Sequence, residues 1–117
     1  MTMEKAKTQK DSSDLKGKTL ALPGLVQYQE GAVVSREVVR GKAGTVTAFA
    51  FDKGQQLSEH TAPFDALVVG IEGAADIVIA GQIHPVKTGD MIIMPAGIPH
   101  ALNAVARFKM LLVMIKK

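Results

Sequence analysis

The sequence contains no cysteine and no tryptophan, and only one tyrosine and four phenylalanines occur among its 117 residues. The lack of cysteine excludes disulfide frameworks, thiolate nucleophiles, zinc ribbons and iron–sulfur sites. It also fits a reducing compartment. The longest apolar run, 110–115, has six residues, whereas about 20 are needed to span a bilayer. Since the first residues also lack the apolar region of a signal peptide, we expect a cytoplasmic protein with no membrane partner.

Positive charge is modest and is concentrated at the N-terminus. The net charge is +3, and residues 1–18 carry five lysines against three acidic residues, so the remainder is nearly neutral. With so few aromatic rings to stack on bases, we expect no nucleic-acid partner. Residues 1–18 are polar and show no sustained hydrophobic period, which predicts a flexible lysine-rich arm. Residues 19–117 then form a single domain.

The rest of the chain is a series of short apolar runs separated by glycine and proline, a pattern typical of all-β proteins. Residues 45–51 alternate small and large side chains, which places Phe49 and Phe51 on one face of a strand. The segment 80–82 predicts a tight hairpin turn. No segment has the period of an amphipathic helix. We therefore expect a sandwich or barrel of about eight to eleven short strands.

Two of the three histidines lie beside turn sequences on separate predicted strands. His60 follows the loop 52–54, and His100 follows the proline- and glycine-rich segment 95–99. Such histidines could converge in the mouth of a barrel. Each could be a metal ligand, a metal-free polar or acid–base group, or a satisfied core residue. His84 lies beside Pro85 on the predicted hairpin, and we interpret it as a surface or packing residue.

The spacing around His60 resembles the first motif of the cupin family, which reads G-x5-H-x-H-x3/4-E-x6-G. Gly54, His60 and Gly73 occupy their expected places. Ala62 stands where the second metal-binding histidine would be, and Ala66 stands where the glutamate would be. The first motif is therefore degenerate.

The spacing around His100 resembles the second cupin motif, which reads G-x5-P-x-G-x2-H-x3-N. Gly89, Pro95, Gly97 and His100 match at every spacing, while Asn103 falls one residue early. Fifteen residues, 74–88, separate the two motifs. The resemblance implies an all-β, double-stranded β-helix (jelly-roll) cupin barrel. It also implies a homodimer, in which the apolar stretch 20–26 would form a strand covered by the partner.

Cupins that resemble this chain hold a metal with three histidines and one glutamate, and only His60 and His100 remain of that set. The resemblance therefore implies one divalent transition metal (Fe, Mn, Ni, Cu or Zn) at these two residues, or no metal if the replacements disabled the site. Gln56 shares strand parity with His60, and we expect it in the pocket. The full set of residues expected to line the pocket is Gln56, Ala62, Ala66, Phe49, Phe51 and Asn103.

These features predict a small-molecule-binding cupin with a degenerate, metal-binding centre in the barrel. The alternative is a metal-free, non-catalytic module that binds or senses a ligand, because two of the four family ligands are alanine. The fold hosts both enzymes and binding proteins. No catalytic residue and no reaction are assigned from the sequence.

Overall fold

The computed structural model describes residues 6–8 and 15–116 of the chain. Within them the protein is built from nine strands, one 3-10 turn (Leu22–Gly24) and no α-helix, which confirms the all-β prediction. None of these residues belongs to a helix that is long and apolar enough to cross a membrane. The strands are β1 (Ala6–Thr8), β2 (Val33–Gly41), β3 (Gly44–Phe51), β4 (Gln56–His60), β5 (Asp65–Ile79), β6 (Gln82–Lys87), β7 (Met91–Met94), β8 (His100–Asn103) and β9 (Phe108–Ile115).

The long strand β5 belongs to two sheets. Its first half pairs antiparallel with β7 and β9, and β9 continues through β3 and β2 to the parallel strand β1. Its second half, Ala74–Ile79, pairs with β6 and β8, and β8 pairs with β4. The register of β5 against β9 shifts between Gly70 and Glu72, and the strand passes to the second sheet after Gly73. The two facing sheets form the jelly-roll barrel that the sequence predicts.

Alternating side chains fill the space between the two sheets. Phe49 and Phe51 of β3 are fully buried, with ring centroids 5.9 Å apart, and Phe108 of β9 lies 6.2 Å from Phe51. Aliphatic residues of both sheets complete this core. Because residues two apart share a face of a strand, the alternation in 45–51 correctly predicted that both phenylalanines point inward.

A second, smaller apolar cluster covers the outer side of the first sheet. Leu25 and Val26 pack there against Val34, Ala48 and Ala50. The prediction that 20–26 forms a strand is wrong, because residues 22–24 form the 3-10 turn with proline in its first turn. The leucines and valine of this stretch fit a strand equally well, and the sequence did not show that they instead follow a turn and pack on the first sheet of the same chain.

A buried lysine attaches this N-terminal segment to the barrel. Lys109 of β9 is 5% exposed, and its Nζ donates a hydrogen bond to the Pro23 carbonyl (2.7 Å) and forms an ion pair with Glu72 (3.3 Å). The Nζ also lies 4.8 Å from the centre of the Tyr28 ring, and the Arg107 guanidinium lies 4.9 Å from the same ring centre. Burial, followed by the interaction with the Glu72 carboxylate, raises the pKa of the Tyr28 hydroxyl. The cations and the aromatic ring therefore hold segment 22–28 in place.

The predicted hairpin turn is present between β5 and β6. Ile79 pairs with Gln82, and both Ala80 (φ +50°) and Gly81 (φ +80°) have positive φ, as a two-residue hairpin turn requires. Of the predicted N-terminal arm, residues 6–8 form β1, and residues 1–5 and 9–14 lie outside the described residues. The division at residue 18 stays a prediction.

Candidate functional site

The two motif histidines meet across the second sheet. His60 ends β4, His100 begins β8, and the two residues are direct partners in the antiparallel ladder. Their ring centroids are 4.5 Å apart and the rings are inclined at 73°, an edge-to-face contact. We call these two side chains the imidazole pair. Each comes from a turn-flanked strand end, and the structure brings the two side chains together.

Backbone carbonyls fix the orientation of both rings. The Nδ1 of His60 donates a hydrogen bond to the Ser58 carbonyl (2.6 Å), and the Nδ1 of His100 donates to the Ile98 carbonyl (3.1 Å). Because a carbonyl oxygen only accepts, the network assigns the proton to Nδ1 in each ring. In the neutral imidazoles each Nε2 therefore carries a free lone pair. Both Nε2 atoms are buried and have no hydrogen-bond partner.

The environment of His100 favours the neutral imidazole. His100 is 2% exposed. Burial is the largest influence and lowers the pKa of His100, the Ile98 carbonyl opposes this shift, and the neighbouring His60 lowers the pKa further. A neutral ring with a free Nε2 is the form of histidine that binds a metal ion or accepts a hydrogen bond from a ligand.

A small apolar cavity adjoins the imidazole pair inside the barrel. About 10 Å³ is open to the centre of a water molecule, which is close to the space that a single water needs. Apart from the two histidines, every lining residue is apolar: Leu57, Val68, Met94, Ala101, Leu102 and Met110. The cavity as it stands therefore fits an ion or a water-sized ligand.

A β-bulge determines which residues of β4 face this cavity. Leu57 pairs with Leu102 and His60 pairs with His100, so three steps along β4 match two steps along β8. The extra residue reverses the parity of the strand before the bulge. Consequently Leu57, rather than Gln56, lies on the cavity side with His60.

The parity argument that placed Gln56 in the pocket is therefore wrong. Gln56 is exposed, and so is Asn103, its partner in the ladder between β4 and β8. Neither residue lines the cavity beside the imidazole pair. Asn103 opposes Gln56 and Asp76 on neighbouring strands, and this side of the second sheet faces the solvent.

The remaining predicted pocket residues are buried but do not line the cavity. Ala66, Phe49 and Phe51 are all fully buried and belong to the apolar core, which also contains Met94 and Met110. Ala62 is 2% exposed and lies beyond the end of β4. His84 is partly buried and pairs with Ile77 in the β5–β6 hairpin. This position is consistent with a surface or packing residue.

The donor set of the site differs from that of a four-ligand metal centre. Among the described residues, no group of three or more His, Cys, Asp or Glu is placed to hold a metal ion. The orphaned Nε2 atoms of the imidazole pair nevertheless fit a metal, because a ligating histidine commonly donates its other ring N–H to a carbonyl or carboxylate. The pair supplies two nitrogen donors that are already oriented.

Sequence reasoning assigned to the cavity none of the six apolar residues that line it, which are Leu57, Val68, Met94, Ala101, Leu102 and Met110. Leu57 was missed because the bulge is not visible in the residue pattern. Met94 and Met110 lie on β7 and β9, the two strands that flank β5. The segments 91–94 and 110–114 are apolar throughout, so the sequence does not show which of their side chains point inward, and the strand pairing brings both methionines to the same cavity.

Comparison with known proteins identifies the family. The family model described as "Cupin domain" matches residues 47–115. A conserved protein of unknown function from Streptococcus pyogenes is 42% identical, with 86% of this chain and 89% of that chain covered and a TM-score of 0.82. A cupin superfamily protein from Desulfitobacterium hafniense is 26% identical, with coverages of 87% and 94% and a TM-score of 0.82.

A cupin 2 conserved barrel domain protein from Leptotrichia buccalis is 41% identical, with a TM-score of 0.75. That match covers 78% of this chain and 44% of the other chain, which is the longer of the two. No protein with a curated description matches. The family model, the similar structures and the jelly-roll barrel agree, and the chain belongs to the cupin family.

Proposed function

We propose that this cupin is a small-ligand-binding protein whose centre is the imidazole pair, and that the ligand held there is a transition-metal ion. The observation that supports this proposal is the pair of buried Nε2 atoms without a partner. A buried polar atom left unsatisfied costs about 1–3 kcal/mol. A bound metal would remove this cost at both nitrogens at once.

The arrangement on the other side of each ring supports the same function. The Ser58 and Ile98 carbonyls accept from the Nδ1 atoms, which holds both lone pairs in fixed directions and raises the basicity of the rings as ligands. When bound, the metal would supply Lewis-acid or redox chemistry. The apolar residues around it would exclude water, and the His60 and His100 rings would hold the ion without changing their proton at Nδ1.

A metal-free binding module is the second candidate, and the replacements Ala62 and Ala66 favour it. Both side chains are buried methyl groups, which have no atom that could coordinate a metal. A metal-free ligand would have to offer hydrogen-bond donors, because the two Nε2 atoms can only accept in their neutral form. The cavity beside them accommodates a water-sized group, so a larger ligand would need side chains to move.

Elemental analysis of the untagged protein tests the metal proposal. The protein would be loaded separately with Mn, Fe, Ni, Cu and Zn, desalted, and analysed for metal per chain. We expect about one metal per chain with at least one of these ions. His60→Ala and His100→Ala should each weaken retention by more than the ten- to hundred-fold that is typical of losing an outer-shell partner.

His84→Ala is the matched control, because His84 lies on the β5–β6 hairpin away from the imidazole pair. It should retain metal like the unmodified protein. Equal metal content in all three variants would contradict the proposal. A wild-type protein that holds no metal under any loading condition would instead favour the metal-free module.

We also propose that the partner of this chain is a second copy, docked on the outer side of the first sheet. The strand register aligns Ile93 of β7, Leu67 of β5, Val113 of β9, Val46 of β3 and Val39 of β2 in one row. A two-fold interface places the same patch against itself. A row without charged residues meets that condition, because no like charges are brought together.

A further inference from the structure

We infer that the centre is selective for copper(I), a soft monovalent ion, and that the thioethers of Met94 and Met110 complete its shell together with His60 and His100. This inference rests on the proposed function that the imidazole pair binds a metal. It departs from the divalent metal that the cupin motifs imply.

The first argument is the set of donors that surround the cavity. Met94 is 3% exposed and Met110 is 1% exposed, and both line the same cavity as the two histidines. They reach it from opposite sides of β5, since Met94 pairs with Ala66 and Met110 pairs with Gly70. Imidazole nitrogen and thioether sulfur are together a soft donor set, and thioethers favour copper(I) among the biological transition metals.

The second argument is the absence of charge. The position of the family's glutamate is Ala66, which is fully buried, and Ala62 replaces a histidine. The described residues bring no third His, Cys, Asp or Glu to the pair. All four proposed donors are neutral, so nothing in the shell offsets the charge of the ion. Because the cost of burying an ion grows with the square of its charge, an apolar cavity with neutral donors favours a monovalent ion over a divalent one.

The third argument distinguishes ligands from ordinary core residues. Methionine commonly fills irregular gaps in a core, and Met114, which packs against the same core, is an example without a role at the cavity. Met94 and Met110 differ because they share a cavity with two buried, unpartnered nitrogen atoms. A cavity whose lining offers two free nitrogen lone pairs and two thioethers is a site for a soft cation.

Competition titration tests the selectivity. Under anaerobic conditions the full-length protein would compete with bathocuproine disulfonate for copper(I), and Zn(II), Ni(II) and Co(II) would be titrated separately by calorimetry. We expect one copper(I) per chain, bound more tightly than any of the divalent ions. Met94→Leu and Met110→Leu conserve side-chain volume, and each should weaken copper(I) binding about tenfold or more while leaving divalent binding unchanged.

Met91→Leu is the matched control, because Met91 is 56% exposed on the outer side of the barrel; its copper(I) affinity should equal that of the unmodified protein. X-ray absorption at the copper edge of the wild-type complex gives a readout that does not depend on any variant folding. We expect sulfur as well as nitrogen scatterers around the metal.

Each outcome separates this inference from the proposed function. A spectrum without sulfur, or methionine variants that bind copper(I) like the unmodified protein, would overturn the inference. Tighter binding of a divalent ion than of copper(I) would also overturn the inference. If the binding of that divalent ion were lost in His60→Ala, the proposed metal-binding function would still stand. A protein that binds neither copper(I) nor any divalent ion would overturn both.

Discussion

Two glycines that both have a positive φ have very different surroundings. Gly73 (φ +87°) lies in β5, and a Cβ placed there would collide with the backbone carbonyl of Arg107. Gly81 (φ +80°) lies in the β5–β6 turn, where a Cβ would meet nothing within 4 Å. Left-handed strain is therefore common to both positions, and only Gly73 also requires close approach of two backbones.

We predict that Gly73→Ala destabilises the barrel much more than Gly81→Ala. The left-handed conformation costs an alanine about 1–2 kcal/mol, and this is the loss expected for Gly81→Ala. Gly73→Ala must also displace the Arg107 backbone, which should bring the total to about 4 kcal/mol, in the range of exceptional point mutations. Urea unfolding of both variants measures the difference. Equal losses in the free energy of unfolding would show that the Arg107 backbone moves aside without destabilising the barrel.

The individual residues of the site show what a sequence can and cannot predict. His60, His100 and Gly73 were found because the cupin motifs fix their positions relative to turns. Gln56 was misplaced because strand parity assumes an uninterrupted ladder, and the bulge between Leu57 and His60 breaks it. A bulge depends on the pairing of two strands that are distant in sequence, so it cannot be predicted from the residues of β4 alone.

At the scale of elements, one ammonium group contacts segment 22–28 at both of its ends. Lys109 Nζ contacts the Pro23 carbonyl, the Glu72 carboxylate and the Tyr28 ring. Arg36 supports the segment from β2, donating from Nη1 to the Leu25 carbonyl (2.9 Å). A hydrogen bond to a charged group contributes about 1.5–3 kcal/mol. The lysine therefore contributes much of the free energy that keeps the segment on the sheet.

We predict that Lys109→Met lowers the free energy of unfolding by about 2 kcal/mol and releases the N-terminal segment. The barrel core should stay folded, because Lys109 points away from the phenylalanine cluster. Limited proteolysis followed by mass spectrometry should show faster cleavage within 15–28. Lys87→Met, at an exposed position of β6, is the control and should cleave like the unmodified protein; identical cleavage of Lys109→Met would disprove the anchoring role.

The elements themselves were predictable to different degrees. The alternation in 45–51 and the turn at Ala80 and Gly81 are local signals, and the structure confirms both. The position of segment 22–28 was not predictable, because it depends on the tertiary contacts of Lys109 and on the second apolar cluster. The transfer of β5 from one sheet to the other is likewise a property of its partners β6, β7, β8 and β9.

At the scale of the whole molecule, one side of the barrel is apolar and another is polar. The row from Ile93 to Val39 crosses five strands, which corresponds to about 19 Å at the usual strand spacing. Met91 (56% exposed) and Ile115 (59% exposed) extend the same patch. A stable dimer buries about 800 Å² on each partner, and large contiguous exposed apolar patches mark interaction sites.

We predict that Ile93→Lys converts a dimer of the 12.4 kDa chain into a monomer. Ile93 is 53% exposed in the row, so a lysine there would not disturb the isolated barrel. A two-fold interface would bring this new charge in from both copies and bury it without a partner. Light scattering coupled to size exclusion gives the mass of each variant.

Ile83→Lys is the control, since Ile83 is 63% exposed on β6, outside the first sheet, and this variant should stay dimeric. If the unmodified protein is already a monomer at micromolar concentration, the apolar row is not a homodimer interface; if Ile93→Lys remains a dimer, the second copy binds another surface.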